Sequence, residues 1–213
     1  MAIYVSKVQR DVFDMYIFMG GTFDPVHCGH LAAAREVSAL FGGTQVNLMP
    51  TRVPVHKSNP ATTPEQRLAM LELAVANIAE LALDLRELSA QRDCYTVDTL
   101  RELRAELGSE CPIVMVIGMD SYLGLPSWRA ADELLSLCHV LVLQRPGFVR
   151  EEHVLPEADI ADRAATLTRK EAGGLYFFSQ PETDISSTAI RGGVPGQVPA
   201  AVAQYILEHQ LYR

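Results

Sequence analysis

An α/β fold with a doubly wound, mostly parallel sheet is the architecture that this 213-residue sequence predicts, and three features predict it. Short apolar runs alternate with stretches of helical periodicity from residue 15 onward. One run, Ile113–Ile117, is unbroken and rich in β-branched residues, as expected of a parallel strand covered on both faces. Glycine, proline or polar turn residues separate the runs from the helical segments, the rhythm of βαβ units.

Taken in order, Met15–Met19 reads as a first strand ending in a Gly20-Gly21 turn. Leu31, Ala34, Val37, Leu40 and Phe41 then mark one face of a helix that stops at Gly42-Gly43. Gln45–Met49 reads as a strand closed by Pro50. Thr63 as N-cap, Pro64 at the first helical position and Gln66 three residues after the cap open a second helix, with Leu68, Leu71, Val75 and Ile78 on one stripe. A short strand is predicted at Leu81–Leu85. A helix lined by Val97, Leu100, Leu103 and Leu107 should end at Gly108. After the central Ile113–Ile117 strand come a helix around Trp128–Leu137, strands at Val140–Leu143 and Leu175–Phe178, and a terminal helix after Pro199. The stretch from Gly147 to Gly174 is the least patterned and reads as an excursion. No repeat or low-complexity tract interrupts the chain, and a single domain over residues 1–213 is expected.

Composition bounds the function. The sequence is 48% hydrophobic, enough for a sizeable core, and carries 18 Lys+Arg against 26 Asp+Glu for a formal charge of −8. That sign repels phosphate backbones and anionic membrane surfaces, which disfavours nucleic acid or a membrane as general partners. The longest apolar runs are one strand long, far short of the roughly 18 residues of a spanning helix. Residues 1–14 carry charges through their middle and do not read as a secretory signal, so a cytoplasmic location is expected. The four cysteines show no C-x-x-C pair and read as free thiols.

In an open parallel sheet, ligands sit beyond the carboxyl ends of the strands, and two motifs there stand out. The first is GGTFDPVHCGH, residues 20–30. Gly20 and Gly21 allow close approach of a bulky anion, and the helix start that follows offers unpaired N–H groups and a positive dipole end. His27 and His30, three apart, project from one face there and can donate to phosphate oxygens. The second is ISSTAIR, residues 185–191, where Ser186, Ser187 and Thr188 are all competent N-caps and Arg191 is a fixed cation one turn on. Each reads as an anion clamp. A zinc site at His27, Cys28 and His30 is the competing reading of the first motif, with Cys138-His139 as a remote fourth ligand.

The first string resembles the G-T-F-D-P-x-H-x-G-H signature of the nucleotidylyltransferase superfamily, related to the H-x-G-H element of class I aminoacyl-tRNA synthetases. The second resembles the superfamily's I-S-S-T-x-I-R element. The resemblance implies a Rossmann-like fold, with Gly20, Gly21, Thr22, Phe23, Gly118, Asp120, Ile185, Ser186 and Ser187 around ATP, and His27, His30, Lys57 and Arg191 acting on its phosphates. Two bacterial families share both motifs. Phosphopantetheine adenylyltransferases are typically shorter and lack the first histidine, so the length and His27 favour nicotinate-mononucleotide adenylyltransferases. Pro54-Val55-His56-Lys57 looks like that family's P-P-H-K segment, with Val55 departing from its second proline. Tyr95–Thr99 matches its Y-T-x-D-T, and Gly118-Met119-Asp120 resembles its G-x-D, whose carboxylate can take both hydroxyls of a ribose. Trp128 and Arg145 fall where the family places nicotinate stacking and phosphate contact.

The resemblance therefore implies AMP transfer from ATP to nicotinate mononucleotide, with Mg²⁺ carried on the ATP phosphates and Lys57, Tyr95, Thr96, Trp128 and Arg145 around the acceptor. Each residue also has a plain structural reading: Lys57 as a solvated lysine, Asp120 as a turn cap, Trp128 as core, Tyr95 and Thr96 as strand end and helix cap, Arg145 as a surface ion pair. The competing functions are a phosphopantetheine adenylyltransferase and a non-catalytic nucleotide-binding protein.

Overall fold

The computed structural model describes residues 15–52, 60–144, 154–155, 157–179, 185–192 and 197–212. Seven strands are formed: β1 (Tyr16–Gly21), β2 (Val46–Pro50), β3 (Leu81–Leu83), β4 (Ile113–Gly118), β5 (His139–Gln144), β6 (Asp159–Ile160) and β7 (Gly174–Ser179). They make one sheet in the order β3-β2-β1-β4-β5-β7-β6, with every neighbouring pair parallel. The helices are α1 (Cys28–Leu40), α2 (Pro64–Val75), α3 (Arg86–Ser89), α4 (Thr96–Leu107), α5 (Met119–Gly124), α6 (Leu134–Leu137), α7 (Ser187–Arg191) and α8 (Ala200–Glu208). Among the described residues no helix is long and apolar enough to cross a membrane.

The central strands alternate between two cores. Ile17 and Met19 of β1, with Val114 and Val116 of β4, pack under α1, α2 and α8, while Phe18, Ile113, Met115 and Ile117 pack under α4 and α6. Both faces are therefore dry, which explains the continuous apolar run in β4. Each fully buried aliphatic side chain contributes about 1.5–3 kcal/mol of transfer free energy. The chain winds outward through β1, β2 and β3, then returns to the far side of β1 with β4. The strand order reverses between β1 and β4, and in such sheets the crevice at that point is the ligand site.

Several predicted elements shift. The Gly20-Gly21 pair continues β1 and pairs with Met49 and Pro50, so the turn begins only at Thr22. The caps of α2 are as predicted, with Thr63 Oγ1 accepting from Gln66 N. Its buried face, however, is Arg67, Met70, Leu71 and Ala74 rather than the Leu68, Leu71, Val75, Ile78 stripe. The face rotates because the Arg67 side chain, fully buried, points inward to three backbone carbonyls. No helix spans Trp128–Leu137. Instead α5 leaves β4 directly, a 3₁₀ turn follows at Leu125–Ser127, Trp128 is extended, and Ala130 turns left-handed at φ 48° before a second 3₁₀ turn and α6. The left-handed residue interrupts what the apolar spacing alone joins together. Within the unpatterned Gly147–Gly174 stretch, β6 adds to the sheet edge and Ala164–Arg169 forms a 3₁₀ segment.

His139, buried at the start of β5, bonds through both ring nitrogens: Gly174 N donates to Nδ1 at 2.9 Å, and Nε2 contacts Lys170 O at 2.9 Å. A carbonyl only accepts and an N–H only donates, so the ring is neutral with its hydrogen on Nε2. Burial holds its pKa below the ordinary value. The unfolded chain takes up this proton near pH 6.5 and the folded chain only lower, so the stability contribution is present above about pH 6.5 and is lost on acidification. The urea midpoint of the wild type should fall more steeply between pH 7.5 and 5.5 than that of His139→Gln. Parallel pH profiles for the two proteins would assign the titration elsewhere.

Candidate active site

Of the described residues singled out from the sequence, those of the two motifs and Gly118–Asp120 lie at or after the carboxyl ends of β1, β7 and β4, Tyr95, Thr96 and Trp128 lie further along, beyond α3 and α5, and Cys138 and His139 lie at the amino end of β5. Apart from the last two, they form two groups. The first is built on the β1–α1 turn. Phe23 is buried with φ 50°, a left-handed conformation that costs a non-glycine residue about 1–3 kcal/mol. Its ring lies where a Cβ on Gly21 would fall, 2.9 Å from the ring's Cζ, so Gly21 is dictated by Phe23 packing. A Cβ on Gly20 or Gly118 would meet nothing, and those two positions leave open room at the ends of β1 and β4.

His27 is the N-cap of α1 and His30 its third residue, and they cap one another. His27 Nδ1 accepts from His30 N and His30 Nδ1 accepts from His27 N, both at 3.3 Å, with the rings stacked at 3.6 Å between centroids. The two imidazoles do share a face, as their spacing predicts. The expected set of unpaired amides is corrected: Cys28 N donates to Gln197 O at 2.9 Å, and His30 N and Leu31 N donate to His27 O. The helix start has spent these backbone donors on internal partners.

The second motif docks directly on this turn. Ser186 caps α7, its Oγ accepting from Ala189 N. Ser187 Oγ donates to Pro25 O at 3.1 Å, and Arg191 Nη1 donates to Asp24 O at 2.6 Å. A Cβ on Gly29 would stand 3.1 Å from His27 Nδ1 and 3.4 Å from Ile185 Cβ. Gly29 thus lets Ile185 and His27 approach the same point.

The second group gathers around the heads of α4 and α5. Tyr95 is the N-cap of α4 but makes no side-chain cap bond, and Thr96 is the first helical residue rather than the cap. The Arg129 guanidinium lies 4.6 Å from the Tyr95 ring centre and 3.8 Å from Asp98. This brings the turn after Trp128 against the head of α4. Trp128 is half-buried, and Asp120, in the first turn of α5, is exposed. Beside Tyr95 a cavity of about 400 Å³ is lined by Arg52, Gln91, Arg92, Asp93 and Cys94. Lys57 and Arg145 lie outside the described residues.

Sequence reasoning missed the support beneath the first group. Arg67 donates to Thr22 O at 2.9 Å, Thr51 O at 2.5 Å and Arg52 O at 2.6 Å, tying the ends of β1 and β2 together. Asp24 is buried, and its carboxylate accepts from Ala61 N, Thr62 Oγ1 and Tyr212 OH. Burial raises the Tyr212 pKa. The D-P inside the first motif was the available signal for Asp24. Arg67, one turn before Leu71, falls at the edge of the apolar stripe, where hydrophobic spacing reads an arginine as solvent-facing.

The cytidylyltransferase-like family matches residues 18–193. A curated relative from Pseudomonas putida strain W619, "Probable nicotinate-nucleotide adenylyltransferase", is 39% identical over 208 residues, 92% of this chain and 93% of that one. One of the same name from Pseudomonas aeruginosa strain UCBPP-PA14 is 40% identical over 205 residues, 91% of this chain and 95% of that one. This chain belongs to the nicotinate-nucleotide adenylyltransferase family. Among solved structures, Plasmodium falciparum nicotinic acid mononucleotide adenylyltransferase complexed with NaAD superposes with a TM-score of 0.69 at 19% identity, covering 92% of this chain and 96% of the other. Its complex with APC gives a TM-score of 0.65 at 18% identity over the same shares. At those identities the fold is what is shared. Among the described residues no three His, Cys, Asp or Glu side chains converge as a metal site, and Cys138 and His139 are engaged inside the sheet with Leu134 O, Gly174 N and Lys170 O.

Gly29→Ala separates packing from function. Alanine favours a helix over glycine by about 1 kcal/mol, yet its Cβ pushes on His27 and Ile185. The gain in helix propensity and the push on His27 and Ile185 oppose one another, so the melting temperature should change little while kcat/KM for AMP transfer falls roughly 10-fold through misplacement of the two motifs. Unchanged kinetics would show that the cradle tolerates the methyl group.

Proposed function

We propose that the protein transfers the adenylyl group of ATP to nicotinate mononucleotide, releasing pyrophosphate and forming nicotinate adenine dinucleotide, with residues 1–213 acting as one nucleotidylyltransferase domain in the cytoplasm. What carries this reading is the docking of the Ser187–Arg191 turn onto the carbonyls of Asp24 and Pro25 beside the stacked His27 and His30. Two motifs with phosphate-binding chemistry, from opposite ends of the chain, are thereby held against each other.

In the reaction an oxygen of the mononucleotide phosphate bonds to the α-phosphorus of ATP, and the bond from that phosphorus to the β-phosphate bridging oxygen breaks, its electron pair leaving with pyrophosphate. The nucleophile is already an anion, its second pKa being about 6, so no side chain need remove a proton. Catalysis is positioning and charge neutralisation. With Nδ1 of each imidazole accepting a backbone N–H, the neutral ring carries its hydrogen on Nε2 and can give it to a phosphate oxygen. Arg191 supplies the fixed cation, with Lys57 as a second. Gly20, Gly21, Thr22, Phe23, Gly118, Ile185, Ser186 and Ser187 would border ATP, with Asp120 on its ribose. Tyr95, Thr96, Trp128 and Arg145 would border the acceptor. The amides at the head of α4 left over by its own ladder, those of Thr96 and Val97, suit a nicotinate carboxylate.

The residues fit a Mg²⁺ ion carried on the ATP phosphates. The Asp24 carboxylate beside the cradle has its oxygens occupied by Ala61, Thr62 and Tyr212 rather than presented to an ion. When bound on the phosphates, Mg²⁺ supplies charge neutralisation there.

Pyrophosphate release with ATP and a panel of mononucleotide acceptors tests reaction and acceptor together, and nicotinate mononucleotide should be used best. His27→Ala, His30→Ala and Arg191→Ala should each lower kcat by about 10²-fold, the scale for one lost transition-state donor. Near-native turnover in both histidine variants at saturating substrate would remove the assignment.

A further inference from the structure

The segment after α8 reaches back to the nucleotide turn. Tyr212, with φ 59°, donates its hydroxyl to Asp24 Oδ1 at 2.7 Å, and Thr62 Oγ1 donates to the same oxygen at 2.6 Å. The other carboxylate oxygen accepts from Ala61 N at 2.7 Å. Asp24 is thus clamped from three directions while its backbone carbonyl receives Arg191 Nη1. A carboxylate buried this deeply has no water to replace a lost donor, so its rotamer and the peptide it belongs to depend on those three bonds.

We propose that Tyr212 is a positioning residue for AMP transfer: through the Asp24 carboxylate it fixes the peptide carbonyl on which Arg191 is anchored, and so sets the distance of the guanidinium from the phosphates. This rests on the function proposed above. The Tyr212 hydroxyl is engaged with Asp24. It acts over two links, hydroxyl to carboxylate and carbonyl to guanidinium, both within 2.7 Å. Residues 210 and 212 both adopt left-handed backbone, at φ 54° and 59°. Leu211, the residue between them, packs against the core below α1 and α2. The strained pair turns the tyrosine inward from a segment that a capped helix would otherwise carry past the site.

The test is a double-mutant cycle of Tyr212→Phe with Arg191→Ala, read as kcat and KM for ATP and for the mononucleotide well below the melting temperature of each variant. Tyr212→Phe keeps the ring and removes only the hydroxyl. In the wild-type background it should lower kcat about 5-fold or more, with KM for the mononucleotide within 2-fold. In the Arg191→Ala background the same change should cost less than 2-fold, because the group it positions is gone. A purely structural hydroxyl would lower the melting temperature and leave kcat of the folded enzyme unchanged, or reduce kcat equally in both backgrounds; either result overturns the proposal. Should Tyr212→Phe not fold, Thr62→Val strips the other hydroxyl from the same oxygen and is read in the same cycle. If the wild type itself releases no pyrophosphate with any mononucleotide, the function reading fails; if it does and Tyr212→Phe matches it, only the positioning role fails.

Discussion

The site depends on two backbone carbonyls. Those of Asp24 and Pro25 sit in a tight turn outside the sheet, where strand pairing gives them no partner, and a buried carbonyl left alone is costly. The chain meets this demand with Ser187 and Arg191, more than 160 residues away in sequence. The strand order makes the arrangement informative. β7 stands three positions from β1, roughly 14 Å at ordinary strand spacing. The chain therefore leaves β7 and arrives at the loop after β1 on the other side of β4 and β5. The space between these endpoints lies over the carboxyl ends of β4 and β5, where Gly118 leaves room and Asp120 is exposed.

Holding that turn requires charge inside the protein. A guanidinium withdrawn from water loses several kcal/mol of hydration, and three bonds from Arg67 to carbonyls offset the loss without clearly exceeding it. Its Nε, moreover, is buried with no hydrogen-bond partner among the described residues. Arg67 therefore adds little net stability. What it fixes is shape: the residues following β1 and those following β2 share a single planar fork, and planarity is what distinguishes arginine from lysine in such a place. Asp24 works in the same way from the other side of the turn, fixed by neutral donors from α2's approach and from the segment after α8.

How much of this the sequence discloses depends on whether a feature is local. The strands and the long helices follow from runs and periodicities contained within a dozen residues, and the α2 capping box was legible from Thr63, Pro64 and Gln66 alone. The two motifs were legible because each packs its chemistry into one short string. Arg67 was not, since its partners are carbonyls, which carry no side-chain signature, and hydrophobic spacing sets an arginine on the outside by default. Tyr212 was not, because its contact spans 188 positions. The predicted helix at Trp128–Leu137 failed for a related reason. Apolar spacing continued across Ala130, but backbone conformation did not, and packing of Tyr122 and Leu125 under β4 had already taken the helical stretch upstream.

The reciprocal histidine cap changes which atoms can meet an anion. A helix start is an anion site when its first-turn amides are unspent. Here Cys28 N serves Gln197 O, and His30 N and Leu31 N serve His27, leaving Gly29 as the first-turn amide outside that set. The same bonds that consume the amides occupy Nδ1 of both rings, and an imidazole accepting at Nδ1 holds its hydrogen at Nε2. Those backbone donors are therefore not what this helix start offers to a ligand. The spacing of three between His27 and His30 then has a physical cause beyond sharing a face, since it is the interval at which an N-cap and the third helical residue can cap each other.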